Sequence, residues 1–254
     1  MDIIEALDIN LNKRELICLV GGGGKTTTMF AIAQALKAFK KRVLVTTSTH
    51  ICYPDPNREK YDTLIVDNTD DVAIFTKTPE ETVTVFGTGI VRAKEKKLAG
   101  ASGEFIEKLY LQKTFDYILV ECDGSKRKPI KAPASYEPVV PGNATKAIGV
   151  IGLDAIGNPI NEEFVHRLDI FCDVVKRLPG EMLDEEAVVN LILSPAGLFK
   201  GVPEGCKKYV LLNKAEILKN RKHANNISAR LKIQDNLSFT KCIIAAMVDN
   251  KVYS

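Results

Sequence analysis

Paired cysteines are absent from this chain. Its six cysteines lie at positions 18, 52, 122, 172, 206 and 242, and no two of them are within thirty residues of each other. Such spacing excludes a disulfide framework and a pair of zinc ligands. We therefore expect reduced thiols, most of them buried in the core.

Long apolar runs and a large excess of one charge are also missing. No apolar stretch approaches the roughly 20 residues that a membrane-spanning helix needs, and the acidic residues 1–5 do not resemble a signal peptide. The formal net charge of +3 is too small to indicate nucleic acid or an anionic membrane as a partner. We expect a cytoplasmic protein that binds neither. Its 254 residues, without a repeat or a flexible linker, predict a single domain.

The clearest motif is a run of four glycines followed by Lys-Thr-Thr. The apolar residues 16–20 before it predict a strand buried on both faces of a parallel sheet, and a helix is expected to begin near Thr26. Glycines permit a tight turn in which backbone N–H groups face a phosphate, while the lysine would contact the β- and γ-phosphates and the threonine hydroxyl would contact Mg²⁺. The candidate nucleotide-binding residues are Gly21, Gly22, Gly23, Gly24, Lys25, Thr26 and Thr27.

This loop is shorter than the usual G-x-x-x-x-G-K-T pattern, which requires glycine where the chain has Leu19. The second lysine that some dimeric ATPases carry near the start of the loop would fall at Val20, so a dimer completed by such a lysine is not supported. We expect Lys25 to be exposed in the empty loop. Its replacement by alanine should then abolish triphosphate binding and leave the fold intact.

Two acids lie at the end of a later strand, predicted over residues 117–120. Because side chains alternate along a strand, Glu121 and Asp123 share a face while Cys122 points the other way and is expected to pack in the core. An acid at this position holds Mg²⁺ in phosphate-loop proteins, and we prefer Asp123 to Glu121 for that role. The alternative interpretation of Asp123 is a simple turn signal before Gly124.

The second strand, predicted over residues 43–45, ends in a cluster of hydroxyl side chains that includes Thr47. Open α/β sheets bind ligands at this edge, so Thr47 is a further candidate for Mg²⁺ or the γ-phosphate, although ordinary loop chemistry explains such a cluster equally well. The candidate catalytic residues are Lys25, Asp123 and Glu121, and the candidate metal ligands are Thr26, Asp123 and Thr47.

A base-binding motif is suggested by Asn213, Lys214 and Glu216, which follow a strand predicted over residues 207–212. GTPases carry Asn-Lys-x-Asp at such a position, where the aspartate binds guanine. Here the acid is glutamate, whose extra methylene displaces the carboxylate, so the inference of guanine binding is weaker but remains. We predict a modest preference for GTP over ATP, with Mg²⁺ as the cofactor. The alternative is a helix that begins with an acid in its first turn.

The segment 124–147 predicts a long basic loop with four prolines, for which a substrate or partner loop is favoured over a solvated insertion. A helix is predicted over residues 161–177, bearing His166 and Arg167, with the histidine in a structural role. Alternating strands and helices predict an α/β fold, a P-loop NTPase-like three-layer α/β/α arrangement with a mostly parallel sheet. The strands 16–20 and 117–121 should be neighbours in it.

Together these segments resemble the YqeC family. The resemblance covers nearly the whole chain and includes the glycine loop, residues 46–50, 121–125, 131–133, 137–141, 152–155, 166–167 and 212–214. It implies a role in maturing selenium-dependent molybdenum hydroxylases, with such a hydroxylase or its maturation proteins as the partner. Three activities stay open: a maturation factor that hydrolyses ATP or GTP, an ATP-dependent ligase or kinase acting on a small acid, and a regulatory nucleotide-binding module with negligible turnover.

Overall fold

A nine-stranded sheet forms the centre of the structure, a computed structural model that describes residues 1–92, 95–233 and 239–253. The strands of the molecule are β1 (Glu15–Gly21), β2 (Val43–Thr47), β3 (His50–Cys52), β4 (Thr63–Val66), β5 (Val83–Gly87), β6 (Gly89–Arg92), β7 (Lys96–Ala99), β8 (Tyr117–Glu121), β9 (Ile130–Lys131), β10 (Lys146–Gly152), β11 (Val165–His166), β12 (Lys207–Asn213), β13 (Lys241–Ala246) and β14 (Lys251–Tyr253). The main sheet has the order β14-β13-β12-β10-β1-β8-β2-β5-β4. Its neighbouring strands run parallel except β13 and β14.

Helices cover the sheet, and two small sheets lie beside it. The α-helices are α1 (Ile3–Ala6), α2 (Lys25–Ala38), α3 (Gly103–Gln112), α4 (Leu168–Val175), α5 (Glu185–Leu193) and α6 (Leu218–Lys232). The order β3-β7-β6 forms a three-stranded antiparallel sheet, and β9 pairs with β11. No helix of the described residues combines the length and the apolar character that crossing a membrane requires.

The side chains of β1 alternate between two hydrophobic cores. Leu16 and Val20 pack in the core that contains buried residues of α3, α4, α5 and α6. Ile17 and Leu19 pack in the opposite core, which contains the buried residues of α1 and α2. This double burial explains why the strand has an unbroken apolar sequence. The layers are those of a three-layer α/β/α, P-loop-like fold, as the sequence predicts.

The prediction that the strands at residues 16–20 and 117–121 are neighbours is confirmed, because β1 pairs with β8 in parallel and Leu19 lies opposite Glu121. The strand β10 flanks β1 on its other side. The carboxyl ends of these three strands therefore meet at one edge of the sheet. This edge brings together residues that are about one hundred positions apart in sequence, and the candidate site lies there.

The predicted helix over residues 161–177 is wrong in its first half. The helix α4 begins only at Leu168, and the preceding His166 lies in β11 opposite Lys131 of β9. Pairing with a distant segment has overridden the local helical pattern here. The sequence also predicts a charged turn over residues 92–97, of which positions 93 and 94 lie outside the described residues. It predicts a last strand from Ser238, which lies outside them too; the strand β13 begins at Lys241.

The proline-rich segment 124–147 packs against the main body over part of its length. Ile130, Lys131, Ala132 and Ala134 are buried, and β9 lies within the segment. The carbonyl of Pro129 accepts a hydrogen bond from the N–H of Gly152 at 2.8 Å. The segment thus reaches the carboxyl edge of the sheet, where it lies against the glycine loop.

Candidate functional site

The glycine loop connects β1 directly to α2. The helix begins at Lys25, with Gly24 as its N-cap in a left-handed conformation, and no side chain caps it. The first N–H groups of an α-helix have no acceptor within the helix. The N–H groups from Gly24 to Thr27 are therefore those that an anion could use, aided by the positive end of the helix dipole.

The N–H groups of the first three glycines bind protein acceptors. Gly21 donates to Asp123 Oδ2 at 3.1 Å, Gly22 donates to the carbonyl of Val150 at 2.9 Å, and Gly23 donates to the carbonyl of Lys128 at 3.1 Å. The sequence suggested that several N–H groups of the glycine turn face one phosphate. In this structure, the N–H groups of the first three glycines instead hold the loop against Asp123, β10 and the proline-rich segment.

The lack of side chains in the loop permits this close packing. A Cβ atom at Gly23, where φ is +76°, would lie 2.2 Å from the backbone nitrogen of Gly152. A Cβ atom at Gly24, where φ is +117°, would lie 2.4 Å from Nδ2 of Asn213. Both positions therefore require glycine for backbone conformation and for space.

Lys25 is buried, and the expectation of an exposed lysine is wrong. Its side chain is 2% exposed, and Nζ lies 3.1 Å from Asp123 Oδ1 and 3.6 Å from Glu121 Oε1. It also donates to the carbonyl of Gly21 at 2.6 Å. Burial disfavours the charged ammonium, but the attraction of the two carboxylates outweighs this effect and raises the pKa of Lys25 above its ordinary value.

Glu121 lies beside Thr26, at the end of β8. The Thr26 hydroxyl donates to Glu121 Oε2 at 2.7 Å. Burial raises the pKa of Glu121 above its ordinary value, and the charge of Lys25 offsets this only in part. Thr47, opposite Glu121 in the sheet, donates from its hydroxyl to the Glu121 carbonyl at 2.7 Å. Thr47 thus holds the backbone of Glu121 and supports the strand end.

Asp123 belongs to a chain of alternating charges that runs from the buried Lys25 to the partly exposed Arg167. Lys131 Nζ lies 3.1 Å from Asp123 Oδ2 and 2.7 Å from Glu137 Oε2. Glu137 in turn accepts hydrogen bonds from Nε and Nη2 of Arg167, at 3.0 and 2.9 Å. We call Lys25, Asp123, Lys131, Glu137 and Arg167 the ion-pair chain. Together with Glu121 beside Lys25, the three cations face three carboxylates, and this compensation is the condition for burying the charges at acceptable cost.

Near the outer end of the ion-pair chain, two cations hold the carboxylate of Glu137 in its charged form. Burial alone would raise the pKa of Glu137, but the hydrogen bonds from Arg167 and Lys131 lower it to about 2. Residue-by-residue interpretation of the sequence missed Lys131, Glu137 and Arg167 as partners of the acid pair. The signal was present in the motifs of the family resemblance, which include all three positions.

The arrangement suits a magnesium ion that a nucleotide brings with it. The described residues contain no cluster of three His, Cys, Asp or Glu side chains that could hold a metal ion unaided. Mg²⁺ usually keeps several waters and takes only one or two protein carboxylates together with substrate phosphates. Glu121 and Thr26, whose side-chain oxygens are 2.7 Å apart, meet this requirement.

The residues predicted to bind the base lie at and just after the end of β12, and the first of them, Asn213, contacts the glycine loop. Asn213 is buried; it donates to the Gly23 carbonyl at 2.8 Å and accepts from the N–H of Met247 at 2.9 Å. Lys214 Nζ lies 2.6 Å from Asp154 Oδ2. Glu216 is exposed and precedes α6, which begins at Leu218, so the alternative in which Glu216 lies in the first turn of the helix is wrong.

The cysteines near the site differ in exposure. Cys122 is fully buried in the core, as expected from its position between the two acids. Cys52 is exposed, and its Sγ accepts a hydrogen bond from Nη2 of Arg127 at 3.4 Å. None of the six cysteines is in a disulfide.

The fold and this site define a three-layer α/β protein with a short glycine loop and an adjacent acid pair at the carboxyl edge of its sheet. The chain belongs to the YqeC family: the model of that family, described as YqeC protein, matches residues 17–169. The chain is similar to an uncharacterized protein YqeC of Escherichia coli (strain K12), with 33% identity over 209 residues, which are 82% of this chain and 79% of that protein. The family match includes the glycine loop and the whole ion-pair chain.

Proposed function

We propose that this protein binds and hydrolyses a nucleoside triphosphate with Mg²⁺, as an accessory protein in the maturation of selenium-dependent molybdenum hydroxylases. The single observation that carries the nucleotide proposal is the meeting of Lys25, Thr26 and Glu121 at the start of α2. One lysine, one hydroxyl and one carboxylate beside open helix N–H groups are the groups that phosphate-loop proteins use for a triphosphate and its metal.

The ion pairs of Lys25 suggest that the metal ion must be bound before this lysine can contact the phosphates. Lys25 pairs with both Glu121 and Asp123, so it must leave these carboxylates to bind a phosphate. Glu121 and Thr26 would hold a magnesium ion bound with the nucleotide, and that ion would supply positive charge beside Glu121. Lys25 can then turn from the carboxylates to the phosphate oxygens without leaving buried negative charge uncompensated. Binding should therefore depend strongly on Mg²⁺.

The same contacts favour Glu121 over Asp123 as the acid nearest the metal, the reverse of the order preferred from the sequence. Glu121 shares a hydrogen bond with Thr26, whereas Asp123 lies between the ammonium groups of Lys25 and Lys131. We propose that Glu121 and Thr26 hold the metal, directly or through water. Asp123 then positions Lys25 and accepts from the N–H of Gly21.

Titration with fluorescent ATP and GTP analogues, with Mg²⁺ or with EDTA, tests this proposal. We expect saturable binding that is at least about tenfold weaker in EDTA, because the phosphates and Glu121 then repel each other. Thr26→Val should weaken the Mg²⁺-dependent binding by a similar factor. Thr76→Val is the matched control, since Thr76 is exposed on another element and its hydroxyl, among the described residues, donates to the Ala73 carbonyl alone. Equal binding by the Thr26 variant would refute the metal assignment.

We propose a cytoplasmic site of action because the six cysteines are free thiols, which suit a reducing compartment.

The role in hydroxylase maturation is supported by membership of the YqeC family. The test is to purify the hydroxylase from cells that carry either the unmodified protein or the Lys25→Arg variant. We expect the variant to reduce the selenium content of the hydroxylase while its amount stays unchanged. Full selenium content in cells lacking this protein would defeat the proposal and leave nucleotide binding untouched.

A further inference from the structure

A separate cavity of about 350 Å³ lies beside the proline-rich segment, and no residue of the glycine loop lines it. It is bounded by Lys126 and Lys128 on that segment and by residues from β11 and the start of α4. The polar side chains that line it are Lys126, Lys128, Glu162, His166, Arg167 and Asp169. The proposed nucleotide function uses none of these side chains to hold the nucleotide.

The lysines of this cavity differ from the other cations nearby. Arg127, Lys131 and Arg167 each pair with a carboxylate, at 2.9, 2.7 and 2.9 Å. Among the described residues, the ion pairs include neither Lys126 nor Lys128. Their ammonium groups are therefore available to an anionic group of a ligand, although the carboxylates of Glu162 and Asp169 line the same cavity and offset the lysine charge overall.

His166 supplies a second and independent feature. It is only 9% exposed and lines the cavity, and its ring nitrogens form no hydrogen bond with any described residue. A buried imidazole normally has a partner for its ring nitrogens. Burial, with the charges of Lys131, Arg167 and Lys126, lowers the pKa of His166 to about 4. The neutral ring can donate one hydrogen bond to a ligand that occupies the cavity.

The helix α4 begins at the same place. Arg167 is its N-cap in a left-handed conformation, and no side chain caps the helix. The residues of its first turn, Leu168, Asp169 and Ile170, line the cavity. Their N–H groups have no acceptor within the helix, and the dipole of α4 adds positive potential.

We propose that this cavity binds a small molecule through an oxyanion, a phosphate or a carboxylate group, held by Lys126, Lys128, His166 and the first turn of α4. The exposed acids Glu162 and Asp169 would repel a ligand of high negative charge and accept hydrogen bonds from an amine or a hydroxyl. The preferred ligand thus carries one oxyanion together with hydrogen-bond donors. This site goes beyond the proposed function and does not require that function to be correct.

The ion-pair chain connects this cavity to the glycine loop. Arg167 lines the cavity and is bound to Glu137, which is bound to Lys131 and through it to Asp123 beside Lys25. The backbone of Lys128 also accepts from the N–H of Gly23 at 3.1 Å. A ligand in the cavity would therefore touch two residues whose other contacts reach the candidate nucleotide site.

The test is proton NMR of the histidine rings in the full-length protein. The chain has only three histidines, His50, His166 and His223, so each ring can be assigned by single substitution. Titrations use inorganic phosphate and, separately, acetate, with chloride at matched ionic strength as the control. We expect phosphate or acetate to shift the His166 signal saturably and to raise its pKa from about 4, because an anion stabilises the protonated ring. The other two rings should not move.

The double variant Lys126→Gln/Lys128→Gln should bind the probe about tenfold more weakly, because it lacks both free ammonium groups. Lys108→Gln/Lys222→Gln removes two exposed lysines elsewhere and should bind as the unmodified protein does. The variant Lys25→Arg should retain the His166 shift even if it loses nucleotide. An unchanged His166 signal at saturating phosphate and acetate, or an equal response in the Lys126/Lys128 variant, would overturn the proposal. Loss of the shift in Lys25→Arg would assign the phosphate to the glycine loop instead.

Discussion

The Lys131 ammonium lies 3.1 Å from one carboxylate oxygen of Asp123. The other oxygen of Asp123 lies at the same distance from Lys25, so this aspartate is enclosed between two lysines. Both lysines and the aspartate are at most 2% exposed in their side chains. The candidate site is thus held together by buried charges, and replacement of any one of them has consequences for stability as well as for binding.

The first prediction concerns Lys25. Lys25→Met should lower the free energy of unfolding by about 3 kcal/mol, because it leaves Glu121 and Asp123 buried with less compensating charge. Lys25→Arg keeps the charge and should lose less stability, although its larger head group does not fit the same phosphate contacts. Urea unfolding followed by circular dichroism at pH 7 measures both. Equal stability of Lys25→Met and the unmodified protein would show that the lysine does not stabilise the acid pair.

The second prediction concerns the packing of the glycine loop. Gly23→Ala should destabilise the protein by more than about 2 kcal/mol, because the new Cβ atom would meet the backbone of Gly152 and φ is positive. Gly103→Ala is the matched control: it lies in the first turn of α3, and no atom is within 4 Å of its added Cβ. This control should be neutral or slightly stabilising. Thermal unfolding of the two variants decides, and similar melting temperatures would contradict the packing described above.

The third prediction concerns stability in acid. Glu137 has a pKa of about 2 in the folded protein and an ordinary value of 4.5 when unfolded. Its contribution, about 2 kcal/mol, is therefore fully present above pH 4.5 and is lost as the pH falls through about 2. Glu137→Gln should remove this part of the pH dependence. Glu204→Gln, at an exposed position, serves as the control. Unfolding curves between pH 2 and 6 that coincide in shape for Glu137→Gln and the unmodified protein would rule out the effect.

The fourth prediction concerns the base. Glu216 is exposed at the carboxyl edge beyond β12, where its carboxylate could accept hydrogen bonds from two N–H groups of guanine. We expect GTP to bind more tightly than ATP by up to about tenfold, or about 1.4 kcal/mol, and Glu216→Ala should narrow this difference. Glu204→Ala should leave it unchanged. Equal affinities of the unmodified protein for both nucleotides would exclude base recognition by Glu216 while sparing the phosphate contacts, which do not distinguish bases.

The fifth prediction concerns thiol reactivity. Iodoacetamide at pH 8 should modify Cys52 first, because its thiol is exposed and lies beside the Arg127 guanidinium. Burial raises the pKa of Cys206 to about 11 and that of Cys242 to about 12, so these thiols should react slowly. Mass spectrometry of the digested protein identifies the order. A fast phase that persists in Cys52→Ser would show that another thiol is the accessible one.

Local patterns predict much of the fold because they report which faces of an element are buried. The apolar residues of β1 predicted a strand covered on both sides. Ser102 and Asp184, each followed by glutamates, are a pattern typical of helix starts, and they cap α3 and α5 by accepting from the N–H groups of Phe105 and Ala187 at 3.2 and 2.8 Å. The failed part of the helix over residues 161–177 shows the limit. His166 pairs with Lys131, which is thirty-five positions away and has no effect on the local pattern.

By itself the sequence determined the strand, the glycine loop and the helix that follows, together with the shared face of Glu121 and Asp123, because these depend on neighbouring residues and on the period of a strand. Only the tertiary structure decided what the site residues bind. Whether the N–H of Gly23 faces a ligand or the Lys128 carbonyl, and whether Lys25 is exposed or paired, depends on segments about one hundred residues apart that the sheet brings to one edge. Buried charges take the partners that the fold supplies, and sequence spacing does not specify those partners.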